Sequence, residues 1–340
     1  MLRRWSPVIG LVVTVIFLIL VFMNVDFRKL GAALRTADYL YVVPALLLTF
    51  TGYLTRALRW QIILSPTKRV PLGSAFSVLV VGFMANNLVP ARIGELVRAY
   101  ILARKESLSA SLSLATIVVE RVFDGVTIMG FLVILSLVYP LPGWGMVLAR
   151  GGALVFGTAL AVIVLLLVQE DLALRILTGV MHPLPGQVAA AIQRMARLFI
   201  EGLHALRSRE SLFAIIGLSI LVWTLEASSY AMLIMGFHLP IRGVHVAYAA
   251  VFLLTVINLG NIVPAAPGYA GSFEFFATQS LTTFSTTVTS ETALALAVVS
   301  HAYQYILITG MGLIFLWRMG LSLRSLQRTA QEEAAVAPEL

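Results

Sequence analysis

The sequence predicts an all-α protein that crosses a membrane several times, and three observations lead to that fold class. Of the 340 residues, 59% are hydrophobic and only 12% are charged, whereas ordinary soluble domains carry about 25% charged residues. The mean hydropathy is +0.94. Several apolar runs reach the roughly 20 residues that a helix needs to cross about 30 Å of hydrocarbon. We therefore expect about six full transmembrane helices.

The apolar windows place these helices, from the first to the last, near 7–24, 39–64, 111–139, 146–169, 212–237 and 291–317. The opening MLRRW and the apolar run behind it resemble a signal peptide. No small-x-small cleavage pattern follows, so we predict an uncleaved first helix. Two further apolar segments, 73–103 and 245–283, are each interrupted by Asn, Pro and Gly.

The charge distribution sets the predicted orientation. If the N-terminus is cytoplasmic, the inner segments hold 16 of the 24 Lys and Arg residues, and the outer connections hold 4. Basic residues collect in cytoplasmic loops, so we predict cytoplasmic N- and C-termini and a bacterial or archaeal cytoplasmic (inner) membrane. The net charge of +8 then reflects topology, and we expect no nucleic-acid partner. The absence of cysteine excludes disulfides, thiolate nucleophiles and zinc–sulfur or iron–sulfur sites.

An internal repeat explains why polar residues occur inside apolar segments. NNLVPARIGE at 86–95 and GNIVPAAPGYAGSFE at 260–274 share Asn-x-Val-Pro-Ala at an offset of 174 residues. The predicted helices around the two copies run in opposite directions. Paired, inverted, Pro/Gly-interrupted segments are typical of the central site of a transporter. We therefore predict two re-entrant hairpins in an inverted repeat. The alternative is a pair of kinked spanning helices whose Pro and Gly serve packing alone.

The predicted units follow from this repeat. They are residues 1–38 with the first transmembrane helix and its connection, 39–139 as repeat 1 with hairpin 73–103, 140–211 with a connecting helix and a cytoplasmic amphipathic segment at 187–209, 212–318 as inverted repeat 2 with hairpin 245–283, and 319–340 as a cytoplasmic tail.

The hairpins also supply the first candidate binding residues. A proline frees backbone carbonyls, and a half-helix that starts after it aims its N–H groups at the midplane, where an anion is favoured. The candidates in the two hairpins are Asn87, Pro90, Arg92, Gly94, Glu95, Arg98, Asn261, Pro264, Gly268, Gly271 and Glu274.

Charged residues inside the predicted spans are further candidates for the binding site. Exposure to lipid costs at least about 2.5 to 3.5 kcal/mol for each charge, so Glu120, Arg121 and Asp124 must face the bundle interior, with an Arg121–Asp124 pair within the helix. Arg56 and Arg59 either serve a function or snorkel to the interface.

Three further residues complete the set of intramembrane polar groups. Glu226 and Glu274 are positioned to neutralise Arg92, Arg98 or Arg121, and such a network would by itself only fix helix register. His301 is predicted to lie alone among apolar neighbours, as a packed or a ligand-binding histidine. The five histidines lack metal-ligand spacing, and no HExxH, GxSxG or Walker sequence is present. We expect no metal, no cofactor and no enzymatic activity.

Four stretches resemble the flippase-like transmembrane region of lysylphosphatidylglycerol synthases and its stand-alone relatives. They are RALRW at 56–60, NNLVPARIGELVRAY at 86–100, ERVFD at 120–124 and the P-x-x-P-G-x-x-G-x-x-E run at 264–274. The resemblance implies an inner-membrane protein that handles a polar lipid, in the synthases by moving aminoacylated phosphatidylglycerol between leaflets. Two departures are expected: the aminoacyl-transferring domain is absent, and His301 stands where many relatives have an arginine in the late helix.

The predicted function is that of a lipid translocase for a phosphate-bearing lipid. Arg92, Arg98 and Arg121 are expected to contact phosphate, while Glu95 and Glu274 act as counter-ions or bind an amine. One alternative is an accessory subunit that presents lipid to a lipid-modifying partner enzyme, and another is a membrane transferase with a Glu or Asp base. Membrane lipids are the expected partners for all three functions.

Overall fold

In the computed structural model the described residues are 2–23, 25–89, 93–169, 207–261 and 266–323, with a few single positions between 172 and 203, and side chains are described from Gly10 onwards. Most of the predicted amphipathic segment at 187–209 and the tail beyond residue 323 lie outside these ranges, as do residues 90–92 and 262–265.

The described chain is helical and contains no strand within those ranges. Its helices are α1 Leu2–Phe22, α2 Phe27–Thr36, α3 Val42–Leu64, α4 Leu72–Leu88, α5 Gly94–Glu106, α6 Ala110–Val138, α7 Gly143–Val168, α8 Arg209–Gly236, α9 Val244–Gly260, α10 Ser272–Phe284 and α11 Ser290–Arg318. Among the described residues, five helices are long and apolar enough to cross a membrane, or six if α1 and α2 form one bent span. The all-α polytopic fold class is thereby confirmed.

The connection predicted at 25–38 contains a helix that the apolar windows did not reveal. The carboxylate of Asp26 accepts the backbone N–H groups of Arg28 and Lys29 and so caps the start of α2. Helix α2 bends by 84° from α1. Asp is one of the favoured N-cap residues, so the pattern Asp-Phe-Arg-Lys was the sequence signal.

The long helices run antiparallel between two ends of the bundle. Helix α8 packs along α3, since Arg59 contacts Ser219 and, near the other end, Gly236 accepts the N–H of Asp38. One end, here called the basic end, carries Lys68 and Arg69 after α3 and Arg104 and Lys105 in the last turn of α5. The opposite end, here called the far end, carries Tyr139 and Phe284, whose side-chain hydroxyl and carbonyl are hydrogen-bonded.

Helices α4 and α5 form a hairpin with its open base at the basic end. Ser74 bonds Glu106 near the base, and Asn86 accepts the N–H of Gly94 near the tip at 2.7 Å. A Cβ built on Gly94 would lie 2.1 Å from the carbonyl oxygen of Gly82. The absence of side chains at these two glycines therefore lets the two helix backbones approach closely.

Helices α9 and α10 form a second hairpin with its base at the far end. Phe252 and Phe284 lie ring to ring near the base, with centroids 6.2 Å apart. Near the tip Gly260 contacts Phe276 so closely that a Cβ on Gly260 would lie 2.2 Å from the ring. The loop before α10 includes Gly268 at φ 74° and Gly271 at φ 82°, conformations that glycine adopts without strain.

The two hairpin tips meet beside the middle of α11. Asn87 in the first tip donates to Thr309 at 3.1 Å, and Phe273 in the second stacks on His301 with ring centroids 4.5 Å apart. A Cβ on Gly268 would lie 3.4 Å from the carbonyl oxygen of Asn87. The hairpins thus reach α11 from opposite ends, and the two helices of each hairpin pack side by side in antiparallel directions.

Helix lengths support the predicted repeat. Helices α4 and α9 each have 17 residues, α5 and α10 each have 13, and α6 and α11 each have 29. The same succession of a hairpin and a long helix therefore occurs twice, with the hairpin base at opposite ends of the bundle.

Candidate functional site

A network of ion pairs joins α3, α5, α6 and α8 beside the first hairpin. Residues three or four apart share a helix face, which brings Glu120 and Asp124 of α6 towards Arg56 and Arg59 of α3. Helix α5 contributes Arg98 and helix α8 contributes Glu226. Together with Arg121 of α6, seven charged side chains from four helices are therefore linked by ion pairs.

Glu120 lies at the centre of this network and is fully buried. Its two oxygens face three arginines: Arg121 at 2.7 Å, Arg98 at 3.0 Å and Arg59 at 3.6 Å. A lone buried carboxylate would be strongly destabilising, but several close cations offset the cost of removing it from water. Glu120 therefore holds α3, α5 and α6 together.

Asp124 forms the second centre, one turn further along α6. It contacts Arg59 at 2.7 Å, Arg56 at 3.5 Å and Arg121 at 3.5 Å. The indole N–H of Trp223 also donates to Oδ1 of Asp124 at 3.1 Å. The Arg121–Asp124 pair within α6 is thus present, as the spacing predicted.

Aromatic rings cover the guanidinium groups of the network. Arg56 lies 4.4 Å from the centre of the Trp223 ring, and Arg98 lies 4.2 Å from that of Trp60. Such cation–π contacts favour arginine in dry surroundings. The snorkelling interpretation of Arg56 and Arg59 is wrong, because both side chains are buried and paired to carboxylates instead of reaching an interface.

A polar cavity of about 180 Å³ lies between this network and the two hairpin tips. Its walls come from α3, α4, α5, α6, α8, α9, α10 and α11 and from the loop before α10, so both hairpins contribute. The lining residues are Tyr53, Arg56, Phe83, Asn86, Asn87, Glu95, Arg121, Trp223, Glu226, Asn258, Asn261, Tyr269, Phe273, His301, Gln304, Tyr305 and Ile308.

Charges of both signs face the cavity. Arg121 is the most exposed arginine of the network, with 37% of its side chain accessible. Glu226 bonds Arg56 through one oxygen at 2.8 Å, and its side chain is 22% accessible. Glu95 bonds the amide of Asn86 at 3.4 Å and forms no ion pair within the described part of the chain. The cavity can therefore hold an anionic group beside Arg121 and a hydrogen-bond donor or cation beside the carboxylates.

His301 of α11, which lines the cavity, forms a separate pair with Glu274 of the second hairpin. The Nδ1 atom of His301 lies 2.6 Å from Glu274, and its ring stacks on Phe273. The expectation of an isolated His301 is therefore wrong. Glu274 does not neutralise Arg98 or Arg121, because it lies in the first turn of α10 and turns back to accept the N–H of Gly271 at 2.7 Å.

Several predicted site residues support the cavity from behind and do not line it. Arg59, Glu120 and Asp124 lie within the ion-pair network, and Gly94 lies against α4. The prediction that Arg98 contacts phosphate is wrong, because Arg98 is buried between Glu120 and Trp60 and its charge is already paired. The prediction that Glu226 neutralises Arg98 or Arg121 is also wrong, since Glu226 pairs with Arg56.

Of the predicted hairpin residues, Asn87, Glu95 and Asn261 line the cavity, while Gly268 and Gly271 shape the second loop. The three predicted residues Pro90, Arg92 and Pro264 lie outside the described residues.

Sequence reasoning missed part of the lining, chiefly the amides Asn86, Asn258 and Gln304. Each lies in an apolar helix, and polar groups at such positions were the available signal. The aromatic members gave no signal of this kind, because aromatic residues are common in any apolar helix. Within the described ranges no three His, Asp or Glu side chains converge in the way that metal ligands do.

A family model described as the lysylphosphatidylglycerol synthase TM region matches residues 8–312, which include both hairpins and the whole ion-pair network. The chain belongs to this family. The predicted family membership is thereby confirmed.

The similar curated proteins come from archaea. A glycosyltransferase named AglD from Haloferax volcanii is 27% identical over 98% of this chain, and the chain spans 57% of the length of that relative. A UPF0104 membrane protein from Methanothermobacter thermautotrophicus is 27% identical over 83% of this chain and 84% of its own length. A further UPF0104 membrane protein, MJ1078 from Methanocaldococcus jannaschii, is 45% identical over 49 residues, 14% of this chain and 21% of its own. No solved structure gives a significant match.

Proposed function

We propose that the chain is a membrane lipid translocase whose substrate is a polar, phosphate-bearing lipid. The observation that carries this proposal is the polar cavity between two hairpin tips that reach the middle of α11 from opposite ends. Non-helical backbone at membrane depth is tolerated only where protein shields it or where it lines a wet cavity. A family described by a lipid synthase membrane region agrees with a lipid substrate.

The charges of the cavity fit the headgroup of such a lipid. Arg121 is held by Glu120 and Asp124, yet keeps an accessible side chain, so it is oriented to bind a phosphate oxygen. Glu95 and Glu226 are placed to accept hydrogen bonds from hydroxyl or amino groups of the same headgroup. Behind them, the buried network fixes the arginine geometry before the lipid arrives.

We propose further that the basic end faces the cytoplasm, which places both termini there. The first hairpin then opens towards the cytoplasm and the second towards the other side. Movement of each tip in turn would expose the cavity to one side at a time, as in other transporters built from inverted repeats. The archaeal relatives suit a cytoplasmic membrane as the location.

The experiment is lipid movement in proteoliposomes that carry a headgroup-labelled phospholipid. Arg121→Gln and Glu226→Gln each remove one cavity charge and keep a polar side chain that can form hydrogen bonds. Arg104→Gln is the matched control, since Arg104 is exposed on α5 and contacts only Tyr100 among the described residues. We expect the cavity variants to slow transbilayer movement about tenfold, the cost of one charge-assisted hydrogen bond.

Equal rates in all variants would overturn the assignment of this cavity. Purified chain that leaves the label in its original leaflet, with every lipid class tried, would overturn translocation itself.

One observation favours a second candidate, the presentation of a lipid acceptor to an enzyme. The chain matches only 57% of the glycosyltransferase AglD, so the shared part occurs together with further sequence in a protein of that name. On this alternative the same cavity binds the lipid but does not release it on the other side.

Two measurements separate the candidates. Binding of lipid without transbilayer movement, together with co-purification of an enzyme, supports presentation. The transferase interpretation is tested by incubating the pure chain with an activated sugar donor and lipid, and formation of a glycosylated lipid would contradict our view that the chain itself is not an enzyme.

A further inference from the structure

The His301–Glu274 pair connects the second hairpin to α11 and takes no part in the ion-pair network. Glu274 uses both carboxylate oxygens at once: one contacts Nδ1 of His301 at 2.6 Å, and the other accepts the N–H of Gly271 at 2.7 Å. Gly271 is the residue before α10 and adopts φ 82°. A single carboxylate therefore joins the turn of the second tip to the central helix.

The ring of His301 is held in place while one edge faces the cavity. Phe273 stacks on it with ring centroids 4.5 Å apart, and Tyr305 lies edge-on at 6.2 Å. The side chains of His301 and Glu274 are 17% and 13% accessible, respectively, and His301 is one of the cavity-lining residues. A proton can therefore reach the ring through the cavity although the pair lies among apolar helices.

We propose that His301 and Glu274 form a proton-binding site that controls the tip of the second hairpin. Histidine is the side chain whose charge ordinarily changes between about pH 5 and 8. With the ring protonated, the contact to Glu274 is an ion pair, and the tip is held against α11. With the ring neutral, only an Nδ1–H hydrogen bond to the carboxylate remains, which is weaker.

Other charged or titratable groups share the cavity and contribute to its field. They are Arg56 and Tyr53 of α3, Glu95 of α5, Arg121 of α6, Glu226 of α8, Tyr269 of the loop before α10, and Tyr305 of α11. The group that directly contacts the His301 ring nitrogen is Glu274, at 2.6 Å from Nδ1. The response of the second tip to pH is therefore assigned to the His301–Glu274 pair.

The test uses the absence of cysteine from the natural sequence. Ser272→Cys places one thiol in the first turn of α10, where the serine side chain is fully buried under the tip and bonds the carbonyl of Tyr269. Ser280→Cys is the matched control, because Ser280 is equally buried on the same helix, two turns away from the tip. Full-length protein in liposomes is labelled with N-ethylmaleimide, and each rate is divided by that of free cysteine at the same pH.

We expect the corrected labelling rate of Ser272→Cys to rise about fivefold between about pH 5 and 8, which corresponds to about 1 kcal/mol. The Ser280→Cys rate should stay constant. Adding His301→Gln, which retains a hydrogen-bond donor but does not titrate, should remove the rise. Glu274→Gln should remove it as well, and His245→Gln, an exposed histidine at the far end, should not.

A pH response that survives both His301→Gln and Glu274→Gln would overturn the proposal, as would a constant rate in the unmodified background. Should one of these variants fail to fold, the other decides the question. Labelling reads the hairpin directly, so this result does not depend on whether the chain moves lipid.

Discussion

Replacement of Glu120 by glutamine is the sharpest test of the buried network. Glu120→Gln keeps the size of the side chain and removes its charge. Three arginines then lose a shared carboxylate at 2.7, 3.0 and 3.6 Å, while Asp124 and Glu226 remain as the acidic members in contact with the network.

The expected loss of stability depends on which contacts each arginine keeps after the substitution. Removing one partner of a buried ion pair costs about 3 to 5 kcal/mol, because the other charge stays in dry surroundings. Two features reduce the loss: Arg121 is 37% accessible and keeps its contact with Asp124, and the amide oxygen of glutamine still accepts one hydrogen bond. We therefore expect a loss of about 3 kcal/mol in the free energy of unfolding.

The assay is unfolding by sodium dodecyl sulfate in mixed micelles, followed by far-ultraviolet circular dichroism and tryptophan fluorescence. Glu210→Gln is the control, since Glu210 is an exposed residue in the first turn of α8 and its replacement should cost within about 0.5 kcal/mol. A double variant, Glu120→Gln with Arg98→Met, should lose less than the sum of the two single variants, because it removes both partners of one pair.

A loss for Glu120→Gln as small as that for Glu210→Gln would refute the reasoning. It would mean that water or rearranged side chains satisfy the arginines and that the network does not hold α3, α5 and α6 together.

Three further outcomes are expected. Arg121→Gln should weaken binding of an anionic phospholipid about tenfold in native mass spectrometry, because one charge-assisted hydrogen bond is lost; unchanged retention would contradict the role of this arginine. Gly94→Ala should destabilise the protein by about 1 to 3 kcal/mol, because the new Cβ would lie 2.1 Å from a backbone oxygen of α4. A Cβ on Gly130 meets nothing within 4 Å, so Gly130→Ala should not destabilise the protein. Chemical denaturation compares the two variants. Lipid addition should change tryptophan fluorescence through Trp223, which lines the cavity, so Trp223→Phe should remove more of the signal than Trp144→Phe.

Much of the fold could be predicted because its signals are local. The hairpins predicted at 73–103 and 245–283 correspond to helix pairs at Leu72–Glu106 and Val244–Phe284. Apolar runs and the Asn, Pro and Gly that interrupt them mark these segments without reference to the rest of the chain. Helix α2 was missed for a related reason, since ten residues with several charges give no apolar run.

The candidate site could be predicted only in part. The pattern of intramembrane charges predicted that Glu120, Arg121 and Asp124 face the bundle interior. In the structure Glu120 and Asp124 are buried between helices, and Arg121 lines the cavity. The same pattern did not show that Arg98 forms an ion pair with Glu120 or that His301 pairs with Glu274. These pairs join residues that are 22 and 27 positions apart, and spacing alone does not decide which of several carboxylates an arginine reaches.

The sequence by itself determined that this is an all-α membrane protein of the lysylphosphatidylglycerol synthase TM family with two interrupted segments, because hydropathy and backbone-breaking residues act over a few helical turns. Only the tertiary structure decided which charges face the cavity and which are locked behind it. Four arginines and five carboxylates occupy neighbouring helices, and helix rotation and packing decide which of them pair. Electrostatic energy at low dielectric changes steeply over such distances, so packing assigned the roles that composition left open.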